Sequence, residues 1–164
     1  MANGKIHFKA SQVTTAALAT ATLLTVPINP RLTMFMVLVT IGATQAMFAD
    51  PDIDHHHLDT ESEKRIKKIP HIGKLLLVAW KIYWYPYASN VPHRHWLSHL
   101  PAVASLIRMI YLNTFIMPFV PVLSIWLSVW IGWTIQDAVH CSLDKAWRKT
   151  AKQFSKDIKK WRAK

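Results

Sequence analysis

Charge is missing from much of this chain and crowded into the rest. Residues 10–30, 32–49 and 109–136 contain no Asp, Glu, Lys or Arg. A soluble domain spreads charge along its length, because each surface element turns a polar face to water. Here the first two runs are each about long enough to cross a bilayer core of roughly 30 Å, and the third suffices for one crossing and part of another. Mean hydropathy is slightly positive, +0.13, even though the chain carries 20 Lys/Arg and 9 Asp/Glu. Those charges must therefore lie outside the runs.

The pattern predicts an all-α fold: an integral membrane bundle of about four short helices, plus an interfacial helix and a C-terminal amphipathic helix. The first segment, about 11–28, is rich in Ala, Thr and Leu. Its threonines can bond back to their own helix carbonyls. Lys5 and Lys9 ahead of an apolar run also suit a secretion signal. However, Pro27 and Pro30 lie near the run's end and no small-x-small cleavage site stands there, so a retained helix is expected. The second segment, about 31–49, stops at Asp50-Pro51. Residues 50–71 read as a polar loop. Residues 73–88 are apolar and aromatic but broken by Lys74 and Lys81, which suits a helix lying in the interface with Trp and Tyr at headgroup level. The third segment, about 96–116, contains Arg108, which needs an internal acid, a snorkelling path or a shallow helix. The fourth is about 119–140. Two regions follow: 1–144 as the membrane-embedded metal-binding domain, and 145–164 as a basic tail helix with Trp147, Phe154 and Trp161 spaced by seven.

If all four segments cross, the N-terminus, the 50–95 loop and the tail share one side. Eighteen of the 20 basic residues then fall there, Arg31 alone falls opposite, and Arg108 sits inside a segment. The positive-inside rule makes the basic side cytoplasmic, with both termini on it. A soluble helical bundle would have no reason to sort charge this way. The single cysteine, Cys141, excludes an intrachain disulfide and fits a reducing compartment. It reads as a packing residue.

The same diagram gathers polar chemistry. His7 lies just before the first segment. Asp50, Asp52 and Asp54 follow the second. His93, His95 and His99 open the third, and Asp137, His140 and Asp144 close the fourth. All fall at cytoplasmic helix ends. Asp137, His140 and Asp144 are spaced i, i+3, i+7 and share a helix face, as do His95 and His99 at i, i+4 if the helix starts that early. Imidazoles with carboxylates suit Zn, Mn or Fe, and carboxylate bridges suit two ions. Each residue also has a plain alternative. His7 could be a surface histidine, Asp50 a helix-ending acid, Asp137 the partner of Arg108, and Asp144 a balance for Lys145 and Arg148. His55-His56-His57 is more often a solvated tract. Ser98 beside His99 lacks the strand–turn–helix setting of a nucleophile elbow and could instead cap a helix. Arg94, and more weakly Lys5, could hold a phosphate or anchor at lipid headgroups.

GKIH at the start, ADPDID after the second segment, WYPYASNVPHRHWLSH with RMIY downstream, and DAVHCSLD resemble a family of bacterial membrane proteins described as metal-binding. That family is similar to membrane-bound metal-dependent hydrolases sharing a PDLDH-like motif and an HR…(S/T)H motif. The resemblance covers nearly the whole chain up to Asp144 and implies a bacterial inner-membrane location. It supports His7, Asp52, Asp54, His93, Arg94, Ser98, His99, His140 and Asp144 as site residues. The chain departs from the pattern at Phe8, where an acid is expected, at Leu100, where glycine is common, and at Gln136-Asp137.

The expected function is a metal-dependent hydrolase at the cytoplasmic membrane face, acting on a phosphoester or lipid-linked substrate. One or two divalent ions would be held by His7, Asp52, Asp54, His93, His99, His140 and Asp144. Arg94 would steady an anionic group, and Asp50 or Asp137 would serve as base or orient a ligand. The alternative is a non-enzymatic, metal-stabilised membrane scaffold whose basic tail recruits a partner or anionic lipid. Nucleic-acid binding rests on the tail alone and is the least expected. A unit this small can also assemble into oligomers.

Overall fold

A computed structural model of the chain describes residues 4–49, 51–54, 60–91, 95–144 and 147–162, and among these every regular element is helical. The helices are α1 (Gly4–Thr25), α2 (Pro30–Phe48), α3 (Glu61–Lys67), α4 (Gly73–Asn90), α5 (Trp96–His99), α6 (Pro101–Asn113), α7 (Leu123–Asp144) and α8 (Trp147–Arg162). Short 3-10 turns follow α2 (Pro51–Asp54) and α6 (Met117–Phe119).

The helix ends follow local chemistry. Asn29 caps α2 by accepting from the Arg31 and Leu32 amides, with Pro30 in the first turn, where its missing N–H costs nothing. α3 lies inside the stretch expected to be a loop. Thr60 and Glu63 form a reciprocal capping box around its start, and that short signal sits among charges that mask it. The third expected span, about 96–116, is not one helix. Leu100, ahead of Pro101, takes an extended conformation (φ −85°, ψ 109°), which breaks the segment into the one-turn α5 and the 13-residue α6. At 1.5 Å per residue α6 extends about 20 Å, short of a bilayer core. α1 starts seven residues earlier than expected, so His7 lies within the helix rather than before it.

Among the described residues one helix, α2, is long and apolar enough to cross a membrane by length and composition. It packs along α7, with α1 against both and α6 also against α7. The α2–α7 approach is very close. A Cβ built on Gly42 would stand 1.9 Å from the Val129 carbonyl oxygen, and one on Gly132 would stand 2.0 Å from that of Val39. Only hydrogen fits at either position. Many polar side chains within the bundle find partners. Thr20, Thr22, Thr40 and Thr44 bond back to carbonyls four residues earlier. Gln45 and Asn113 exchange amide hydrogen bonds, and the Trp133 indole donates to Gln45 Oε1 at 3.0 Å.

Of the aromatic residues of α4 expected at headgroup level, Tyr85 is exposed and the others turn toward the bundle. Trp84 and Tyr87 are buried, and Trp80 and Tyr83 pack with them around Tyr111 of α6. The Tyr83 and Tyr111 hydroxyls donate to each other's backbone carbonyls, both at 2.6 Å. The outward stripe is Leu75, Val78, Ile82 and Tyr85 at helical spacing.

Arg108 is fully buried. It pairs with Asp137 of α7, and its Nη1 donates to the Ser98 carbonyl of α5 at 3.2 Å. The arginine inside the third segment thus has an internal acid, and it ties α5, α6 and α7 together.

Two expectations follow. Gly132→Ala should lower stability by about 1–3 kcal/mol or more through overpacking. Gly4→Ala, whose added Cβ would sit 4.0 Å from Glu61 Cβ, should not, as read by thermal unfolding in detergent. Arg108→Met strands a buried carboxylate and should cost about 3–5 kcal/mol. Adding Asp137→Leu should recover most of that loss, and a double variant no better than the single would mean that the pair does not carry the cost.

Candidate metal centre

Four elements deliver His and Asp side chains to one end of the bundle. α7 ends there, so His140 and Asp144, one turn apart, face the same way, with His140 Nε2 3.7 Å from Asp144 Oδ2. α1 begins there. His7, buried in its first turn, bonds Asp144 Oδ1 through Nε2 at 3.0 Å and stacks on His140 with ring centroids 4.1 Å apart. The turn after α2 contributes Asp52, whose Oδ1 lies 3.8 Å from His140 Nε2 and 4.0 Å from His99 Nε2 of α5. The donor atoms of His7, His140 and Asp144 lie within 4.8 Å of one another, as do those of Asp52, His99 and His140.

His99 is held from behind. The Ser98 hydroxyl donates to the His95 carbonyl at 3.0 Å and meets His99 Nδ1 at 2.8 Å. With its one proton spent on the carbonyl, the serine oxygen accepts from Nδ1–H. That selects the tautomer whose Nε2 lone pair faces Asp52. The Cys141 thiol donates to the His99 carbonyl at 3.1 Å, and Arg108 holds the Ser98 carbonyl. The α5 turn is therefore gripped at its own backbone by side chains of α6 and α7.

The donor set fits a cation. His140 Nε2 is buried and makes no hydrogen bond, although two carboxylates face it. Left alone, such an atom is costly. The 3.7–4.0 Å gaps are too long for hydrogen bonds. They lie a few tenths of an ångström above the roughly 3.4 Å between donors on a tetrahedral ion with about 2.1 Å bonds. Burial is deep on three sides. The Asp52 side chain is 34% exposed, against 7% for Asp144 and 3% for His140, so the centre opens to solvent at Asp52.

Other expected residues lie elsewhere. Asp137, expected as a base or as the partner of Arg108, takes the second role. It shares the α7 face with His140, but Arg108 engages it. His95 does not join His99 on a helix face, because α5 starts one residue later. Instead its Nδ1 caps that helix by accepting from the Leu97 amide, and its Nε2 faces Asp157 of α8 at 3.8 Å. Asp50, His93, Arg94 and the His55-His56-His57 tract lie outside the described residues, as does the side chain of Asp54. Sequence reasoning missed the clamp on His99. Ser98 read as a cap and Cys141 as packing, although each adjoins a site histidine in the chain.

Comparison with known proteins agrees with this chemistry. No curated protein and no solved structure matches the chain significantly. The profile of the family described as uncharacterized metal-binding protein (DUF2227) matches residues 2–163. A histidine–aspartate centre assembled from four separated elements, in a chain matched almost end to end, therefore places the protein in this metal-binding family.

Proposed function

We propose that the protein is an integral membrane protein whose cytoplasmic end carries a divalent-metal hydrolase centre for a phosphoester or lipid-linked substrate. The observation that carries this reading is the convergence of Asp52, His99, His140 and Asp144 around an unsatisfied imidazole nitrogen, with an opening at Asp52. Asp52, His99, His140 and Asp144 would hold the ion, with His7 bonded behind Asp144. Zn, Mn and Fe all suit this set. A bound ion would supply Lewis acidity and acidify a water. The chain's own part is positional: Ser98 and Cys141 hold His99, His7 holds Asp144, and buried walls limit water to the Asp52 side. Arg94, four residues before Ser98 in the chain, remains the candidate for steadying an anionic group.

A membrane location is supported by the outer surface. Large apolar side chains are exposed along α1, α2, α4 and α7, and the turn between α6 and α7 is bare of charge, with Phe119 85% exposed. A patch this extensive on a soluble monomer would be an aggregation hazard. The basic residues at the metal-bearing end fit a cytoplasmic side.

A second reading is favoured by the origin of the donors. They come from α1, the Pro51–Asp54 turn, α5 and α7, so an ion would also staple the fold.

The protein should resist alkaline extraction from membranes. Purified, it should carry a divalent metal by elemental analysis. His99→Ala and His140→Ala should lose the ion, while His71→Asn should keep it, because His71 is exposed and asparagine tolerates its φ of 64°. Ser98→Ala should weaken metal affinity by about 10–100-fold by freeing the His99 ring. Turnover on a panel of phosphoesters and lipid phosphates should stop on chelation and return with metal. Turnover that is indifferent to chelator and to His140→Ala would rule out the hydrolase. Bound metal without turnover, with a lower unfolding midpoint after chelation, would leave the staple as its role.

A further inference from the structure

The tail from 145 to 164 contains nine Lys/Arg and one acid, Asp157. That acid is half-exposed but leans on α5. Its Oδ2 accepts from the Trp96 indole at 3.0 Å and lies 3.8 Å from His95 Nε2. One turn earlier, Phe154 packs on the Trp96 ring with centroids 5.0 Å apart. α8 is thus keyed to α5, the turn that carries His99, by its only carboxylate and one phenyl ring. Lys152, Lys156, Lys159 and Lys160 remain exposed, and Trp161, seven residues after Phe154, is 75% exposed. The protein spends nothing apolar on covering that indole, and four cations lie within nine residues of it.

From this arrangement we infer that the outer face of α8 docks on an anionic lipid surface. The charge is complementary to acidic headgroups, and an exposed indole among lysines suits the headgroup layer, where an aromatic ring is half-wet. The position agrees. α8 follows directly from the end of α7, and α3, at the same end beside α1, adds Lys64, Arg65 and Lys67, with the Arg65 guanidinium over the Phe8 ring. Nucleic acid would explain the lysines but not the bare indole on a single-helix surface. Contact with lipid would hold α8 down on α5, at the mouth of the metal centre. The inference rests on the membrane reading above but not on hydrolysis.

The test uses the full chain reconstituted in lipid nanodiscs, either of phosphatidylcholine alone or with one third phosphatidylglycerol. Amide hydrogen exchange is followed across 152–162, with α2 as the internal reference. Exchange in α8 should be at least about tenfold slower in the anionic discs, somewhat more than the weight of one lysine at such a surface. Half-molar salt and the variant with Lys152, Lys156, Lys159 and Lys160 all changed to Gln should each remove the difference. Equal exchange in both discs overturns the inference, and so does slowing that survives in the glutamine variant. Slowing by duplex DNA in neutral discs, with none from anionic lipid, assigns the face to nucleic acid and also overturns it. Failure to enter discs of either composition sinks the membrane reading itself, and this inference with it.

Discussion

Arg108 is fully buried in the middle of the bundle, and the end that holds the candidate metal centre is arranged around its neutralisation. A guanidinium has five donors and no route to deprotonation, so inside the bundle it must find acceptors. Asp137 supplies charge and the Ser98 carbonyl supplies geometry. Because these partners belong to α7 and α5, satisfying the arginine fixes the spacing of both relative to α6. His140 lies one turn after Asp137 and His99 directly follows Ser98. The pair therefore acts on the site through the chain, without facing it. A hydrophobic substitute of equal volume could fill the space, but it could not orient the Ser98 carbonyl.

The second constraint is the α2–α7 crossing. With Gly42 and Gly132 on opposing surfaces, the two backbones approach until only hydrogens separate them, as in packing between apolar helices, where small residues replace a hydrophobic driving force. This close axis sets the distance between the C-terminal ends of both helices. The Pro51–Asp54 turn, which leaves α2, and the last turn of α7 are thereby brought together. Asp52 meets His140 because Gly42, in the second half of α2, and Gly132, about two helical turns before His140 on α7, let the two helices close on each other.

Much of this was legible in sequence. The uncharged runs gave α1, α2 and α7, and the positions of His and Asp at helix ends predicted that distant clusters would meet, as Asp52, His99, His140, Asp144 and His7 do. Other features were hidden for physical reasons. The steric demand of Pro101 on Leu100 breaks the third segment and leaves α6 short, a local effect that hydropathy does not register. Trp80, Tyr83, Trp84 and Tyr87 have the composition of an interfacial belt, and only tertiary contact with Tyr111 turns them inward. The spacing of His95 and His99 promised a shared face that a helix starting one residue later does not provide. Asp137 carried two readings, and periodicity alone could not choose between a site base and an ion-pair partner.

Distribution of the donors also bears on what the centre can be. A site built on one helix pair would be preformed, and its ion would add little to the fold. Here α1 supplies His7, a 3-10 turn supplies Asp52, a four-residue helix supplies His99, and only α7 supplies two residues. The turn and α5 are too short to hold their own conformation, since a single helical turn is not stable in water. They keep shape because Ser98, Cys141 and Arg108 grip α5 and because Ile53 is buried between α4 and the bundle. Buttressing this dense around one histidine is more than an ion staple needs, because a metal orients its own ligands once bound. It is what a centre needs when His99 must keep its tautomer and direction before the ion arrives. Such a prearranged histidine is what the proposed hydrolase reading asks of the Asp52 opening.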